Sequence, residues 1–504
     1  MNHAYDICRP PRENERSAGV RGQEQGIAVV ITLITLSVLS LLGLYMAMSA
    51  TTEMHMSDNY ESRIRASYAG QAGLGHAREL FRGLDLDDQL NGPGGYVVRE
   101  SSYVEAARTY AFRNPLTWVT ARSLNIANPG TDLAGLPPEG VMNTGLYSGT
   151  SGSVLIPVTG NVFNNPNGLG LIIARYFVKV SDNNGEASEL AGDPLNDPFR
   201  DGDRIVIVRA MGVAATLRDD SNGTVRRNSV AGFESRMKRS NTFNLDAPFV
   251  VEGDDILPSS SQMFAGNAFG IYGDADHAGI ATIDTNTTNG INPSQQIRSQ
   301  VAANQEDNIV GMGLTPSISD VTAAVSADPE KALLRNPSYL WNFATKTVPA
   351  AADSAWEGDQ SWHAGNAPDL GFIDLNLPAN DPSQRPRITY VNGDLNISGN
   401  ITGGGVLVVT GKLSGSGSLQ FNGLILVIGK GDVDGAGLNI GFNGGMFIAR
   451  LNVSGPMICF DTPRFSWKGN SNLRINSKAI RMGMNLFPLV QLSWREITSI
   501  IDPQ

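Results

Sequence analysis

The chain reads as an α+β protein: a long N-terminal transmembrane and amphipathic helix, then β-rich domains, the last a short β-helix (solenoid). Three observations predict that class. Residues 27–50 carry no charge, and helical patterning continues past them to residue 83. Glycine supplies 56 of 504 residues and charged residues only 17%, which favours turn-rich β structure over helix bundles. Near the C-terminus, short apolar runs recur at steps of 18 residues with glycines between them, the mark of stacked coils.

Residues 1–26 form a polar leader in which Arg9, Arg12, Arg16 and Arg21 balance Asp6, Glu13, Glu15 and Glu24. The uncharged run 27–50 follows, and as a helix it reaches roughly 36 Å, enough to cross a hydrocarbon core of about 30 Å. A soluble core helix would not need that length without charge. A signal peptide would have a shorter apolar stretch and a small-x-small cleavage site. Beyond the run, the first basic residues are Arg63 and Arg65. Four basic residues against two keep the leader cytoplasmic and send the rest outward.

Helical patterning persists over 51–83, where no proline occurs. Met56, Tyr60, Ile64, Tyr68, Ala72, Ala77 and Phe81 recur at three- to five-residue steps and predict one apolar stripe. Glu61 and Arg65 are an acid–base pair four apart. Gly70, Gly73 and Gly75 are expected to weaken the helix, each by up to about 1 kcal/mol, and Gly83 is its stop.

These residues resemble a family. A leader ending in glycine, the Gln25-Gly26-Ile27-Ala28-Val29-Val30 opening, Leu-Leu-Gly at 41–43 and Arg-Ala-Ser-Tyr-Ala-Gly-Gln-Ala at 65–72 are similar to the N-terminal region of PilX-type minor pilins of type IV pili. The resemblance covers roughly residues 20–83. It implies cleavage by a prepilin peptidase after Gly26 and methylation of the new amino terminus at Ile27. It also implies helix packing with other pilins after extraction from the inner membrane. Gly22 is a second cut site, but it would leave Glu24 at the head of the apolar run. The family's major subunits carry a glutamate at the fifth position after the cut, and here that position is Ile31. A carboxylate in lipid is costly without a cationic partner. Its absence suggests a subunit at or near a filament tip; the alternative is a branch of the family that never needed it.

Residues 84–250 read as a β-rich pilin-like domain. It begins with β-like runs at 96–98, 116–119 and 153–158, and its clearest strands are 171–180, 204–213 and 224–237. The loop between the first two of these carries Asp182, Asn184, Asp193, Asp197, Asp201 and Asp203. Clustered oxygens of this kind suit calcium, although the spacing matches no EF-hand and a merely solvated loop is the alternative. No other cofactor is indicated.

Residues 251–385 form a mixed region with short helices expected at 318–325 and 329–334. Its Trp341, Trp356 and Trp362 either anchor a small core or form a carbohydrate-binding platform. His277, beside Asp274 and Asp276, and the isolated His363 make no zinc spacing.

The β-solenoid is assigned to 386–453. The runs at 388–393, 406–411 and 424–429 stand 18 residues apart, Leu395 matches Leu413, Ile401 matches Leu419, and Gly405 matches Gly423. Met446 follows Leu424 after 22, with a loop inserted around residues 431–437. Residues 454–504 would cap the stack, whose open edge needs cover.

A net charge of −11 argues against nucleic acid as a partner. Cys8 lies in the leader and leaves Cys459 alone after cleavage, so no thiol-pair chemistry is available. No Gly-x-Ser-x-Gly, His-Glu-x-x-His or phosphate-loop motif occurs, so the chain is not expected to be an enzyme. The expected role is a minor, tip-located structural pilin in pilus assembly, adhesion or surface contact, with a surface or polysaccharide ligand as a further partner. It would sit in the inner membrane with its C-terminal part periplasmic, then on the pilus at the cell surface. The alternatives are a type II secretion pseudopilin, or a membrane-anchored carbohydrate-binding, carbohydrate-processing or scaffold protein.

Overall fold

The computed structural model describes residues 20–83, 86, 141–142, 163–164, 172–183, 203–214, 228–379, 381, 383–435, 437–454 and 457–497. Most of the leader, the runs at 96–98, 116–119 and 153–158, and most of the acidic loop lie outside them. The fold is α+β: one long apolar helix followed by β-rich sheets.

Helix α1 (Val20–Leu80) runs without a break. Its apolar half leaves Ile27, Ile31, Leu36, Leu41 and Tyr45 exposed, with no cover from the other described residues. The outer half buries a different stripe from the one its aromatic residues suggest. Ser62, Ala66, Ala69, Gly70, Gly73, Leu74, Ala77 and Phe81 are buried, whereas Tyr60, Tyr68 and Ala72 are exposed. Small side chains take the inner face because a sheet approaches the helix backbone closely there.

That sheet is antiparallel and contains β1 (Ile172–Asp182), β2 (Ile205–Ala214) and β3 (Ser229–Lys238). Tyr176 lies opposite Gly212 on β2, and Ala210 opposite Phe233 on β3. Residues two apart on each strand (Ala174 and Tyr176; Val206, Val208 and Ala210; Ala231 and Phe233) share one core with α1. Val141–Met142 and Phe163–Asn164 add short pairs to β1.

The chain then leaves this sheet for a second one. Strands β4 (Phe249–Glu252), β5 (Ile280–Ile283) and β6 (Ile318–Asp320) pair side by side, all parallel. Helical segments between residues 322 and 351 carry the chain to the opposite edge, where β7 (Ser354–Glu357) begins. From there β8 (Arg385–Asn392), β9 (Asn400–Val409), β10 (Ser418–Gly429) and β11 (Asn439–Asn452) wind back until β11 lies on β4.

A second parallel column runs through Gln360–Trp362, Leu395–Ile397, Lys412–Gly415, Asp432–Gly435 and Arg464–Lys468. A third joins the first halves of β9, β10 and β11 to Asn472–Arg474 and Gly270–Tyr272. The strands of 249–320, too short to show a period, therefore belong to the same stack as the repeats.

Strand β12 (Val490–Ile497) finally returns to β3 and pairs with it antiparallel. The stack is thus an excursion from a sheet that starts before it and closes after it.

The 18-residue steps are ladder registers: Ile388 pairs Val406 and Val406 pairs Leu424. The next register differs from the sequence alignment, because Met446 pairs Ile425 and not Leu424. Extra residues enter in two places, since Lys412 pairs Asp432 and Ser418 pairs Asn439. The one-residue difference matters because it decides which face a side chain takes. Ile425 and Met446 point into the stack with Leu407, Val409 and Phe249. Leu424, Leu426 and Phe447 point outward, beneath Phe343 and Ile480 of the covering helical segments and Leu486 just past the last of them. Because both faces are covered, the strands read as continuous apolar runs rather than alternating ones.

Two short helices also differ from expectation. Ile318–Asp320 is a strand, held by pairing with Ile280, Ala281 and Thr282. The helix starts only at Thr322, whose backbone N–H donates to the Asp320 carboxylate. The next helical turn, Lys331–Arg335, follows the Asp328 carboxylate, which accepts from the N–H groups of Glu330 and Lys331.

Candidate functional site

The apolar half of α1 must satisfy its own polar groups if it lies in lipid. The Thr32 hydroxyl donates to the Ala28 carbonyl at 2.6 Å, Thr35 to Ile31 at 2.7 Å and Ser37 to Leu33 at 2.8 Å. These three hydroxyls are satisfied within the helix itself, and residues 27–50 carry no charge. Gly26, Ile27 and Ile31 all lie on α1 with their outer surfaces free, and a Cβ at Gly26 would meet nothing within 4 Å.

The docked half is a close backbone contact. A Cβ on Gly212 would lie 1.8 Å from the Ala66 carbonyl oxygen and 2.4 Å from the Gly70 nitrogen. Gly70 makes room for the Phe233 ring and Gly73 for Tyr176, so these glycines are packing sites and not bends. Burial against the helix pushes the Tyr176 phenol up to about 12. At the outer end of the contact, the Ser62 and Ser229 hydroxyls share a hydrogen bond of 2.7 Å. Glu61 and Arg65 form the expected pair on the exposed side.

On the sheet, Arg209 bonds Glu234 at 2.8 Å, with both side chains buried, and Arg495 of β12 reaches the other carboxylate oxygen. Burial alone would raise the Glu234 carboxyl; the bonds and charges of Arg209 and Arg495 outweigh it and hold the group below the usual range.

The base of α1 is fastened to the stack through carbonyl groups. Arg239 donates to the Asn485 and Phe81 carbonyls at 2.7 and 2.8 Å. Arg82 reaches the carbonyls of Leu486 and Ala351 and pairs with Asp353. Gly83, with φ of +78°, donates its N–H to Asn485 at 2.6 Å. Sequence reasoning missed Arg82, Arg239, Gly212 and the Arg209–Glu234 pair. Only Gly212 carried a signal, as a lone glycine inside a strand pattern.

The acidic-loop residues fall mostly outside the described residues, namely Asn184, Asp193, Asp197 and Asp201. Asp182 ends β1, and Asp203 accepts from Asn183 at 2.8 Å and from the Ile205 N–H at 2.7 Å. Among the described residues no three His, Cys, Asp or Glu side chains converge to hold a metal.

The three tryptophans do not share a surface. Trp362 is buried inside the stack, Trp341 packs against the outer core, and Trp356 is partly exposed, 6.4 Å from Trp362. His277 pairs with Asp274 at 2.7 Å, and the His363 ring accepts from the Gly365 N–H. Cys459 is exposed.

Residues 25–74 match the family model described as PilX N-terminal. The matched segment runs from just before Ile27 through the face docked on the sheet. Among solved structures the chain is similar to the competence-associated pilin ComZ from Thermus thermophilus, at 12% identity over 86% of this chain and 97% of that one. Its TM-score of 0.19 is too low to carry an argument. No curated protein matches. The N-terminal region is type IV pilin-like in sequence.

Proposed function

We propose that the chain is a minor, pilin-like structural subunit of a type IV pilus, placed at or near the filament tip. One observation carries the reading: α1 commits one half to the body through small residues and leaves 27–50 apolar, uncharged and exposed among the described residues. Such a half-helix requires either lipid or the apolar surfaces of other helices. The match of 25–74 to a pilin N-terminal model supports the second environment following the first.

On this reading a prepilin peptidase cuts after Gly26 and Ile27 is methylated. The β-rich body lies on the periplasmic side and later at the cell surface. The stacked strands are a short β-solenoid serving as a platform for adhesion or surface contact, and the set Asp182, Asn184, Asp193, Asp197, Asp201 and Asp203 is a calcium candidate. With Ile31 where a glutamate would stand, the subunit has no carboxylate to offer the neighbouring amino terminus, which suits a terminal position.

N-terminal sequencing of the protein made together with a prepilin peptidase tests the core of this. A methylated Ile27 start is expected, and a product retaining residues 1–26 would overturn it. Immunogold labelling should be sparse and at filament ends; uniform labelling along shafts would remove the tip assignment.

A further inference from the structure

The outer layer of the stack contains a carboxyl group without a partner. Glu252 ends β4, between Ile283 of β5 and Ala449 of β11. It is fully buried, and neither carboxylate oxygen makes a hydrogen bond. Phe249 and Val251 point into the stack and Val250 outward, so alternation puts Glu252 on the outer face, under the helical segments of 322–351.

The charged groups on the elements around it are nearly all committed elsewhere. Lys331 pairs with Asp246, and Arg450 with Asp461. Asp284 accepts from the Asn286 N–H, and Asp320 caps the helix at Thr322. Arg335 remains. Its two terminal nitrogens hold Ser326 and the Asp284 carbonyl, while its buried Nε has no partner.

We propose that Glu252 is carried as the neutral acid and that its ionisation loosens the layer 322–351 from the strand face, so that the hold of this layer weakens as pH rises. A charged carboxylate at this site would be buried with no hydrogen bond to compensate it. Burial pushes its ionisation well above the ordinary glutamate range, and the attraction of Arg335 only partly opposes this. The sign follows from proton binding. Above the ordinary range the opened state releases the proton while the closed state keeps it, so opening is favoured up to tenfold per pH unit until the closed state ionises too.

Hydrogen exchange on the full chain in detergent micelles tests this, with rates corrected for intrinsic pH dependence. Protection of 322–351 relative to β1–β3 should fall from pH 5 to pH 8 in the wild type and stay level in Glu252→Gln. Equal pH dependence in both proteins would overturn the proposal. So would a loss of protection in Glu252→Gln at every pH, which would mean a charged pair with Arg335. A measurement on the wild type alone covers a variant that fails to fold: the infrared carbonyl band of a protonated carboxylic acid, resistant to exchange, should persist at a pH where exposed glutamates have already ionised. Its absence would equally overturn the proposal.

Discussion

Replacing Gly423 by alanine should open the stack at one corner. Gly405, Gly423 and Gly444 pair in register across β9, β10 and β11, with φ of +129°, +142° and +148°. Each faces the backbone of the strand before it: a Cβ on Gly423 would lie 2.0 Å from the Gly405 oxygen. Side-chain carbons do not approach a carbonyl within 3.0 Å, so the strands must part by about 1 Å or the backbone must twist. The backbone conformation costs about 1–3 kcal/mol for a non-glycine residue. Stretching roughly two ladder hydrogen bonds adds about 1 kcal/mol each. A loss of about 3–5 kcal/mol is therefore expected, which for a body of this size lowers the melting temperature by roughly 5 °C.

Circular dichroism melting of the full chain in detergent measures it, with Gly75→Ala as the control. Gly75 is in the helix with nothing within 4 Å, so alanine there should be neutral or stabilising by up to about 1 kcal/mol. If Gly423→Ala melted within about 2 °C of the wild type, the close-approach argument would be wrong.

Other consequences follow from the same geometry. Gly212→Ala should lift α1 from the sheet, seen as new protease cleavage within 60–80 while the stack still melts cooperatively. Glu234→Ala leaves Arg209 buried and uncompensated, so a loss of about 3–5 kcal/mol is expected in chemical denaturation. In the wild type the stability from Glu234 is present above the ordinary glutamate range and is lost as pH falls through its depressed folded value. Acid titration of the melting temperature should therefore flatten in the variant. Trp362→Ala should cost about 3–5 kcal/mol as a cavity in the stack. Trp356→Ala, half outside, should cost distinctly less in the same melting assay.

Local patterning specifies the features that need no distant partner. The absence of charge over 27–50 specifies a segment whose surroundings must be apolar, whatever the rest of the chain does. The spacing of Ile388, Val406 and Leu424 specified the registers of β8, β9 and β10, because each strand repeats the chemistry of the one beside it. Where repetition is interrupted, that signal goes astray by a residue, as at Met446.

The tertiary structure alone decided the rest. The face of α1 that docks is the small one, since Gly212 and Phe233, far away in the chain, set how near the sheet comes. Residues 249–320 join the stack through strands of two to four residues, too short to carry a period. The ladder they join is completed by β11, almost 200 positions later. The pairing of β12 with β3 and the burial of Glu252 likewise depend on which strands become neighbours. That is a property of the packed chain, and no local pattern encodes it.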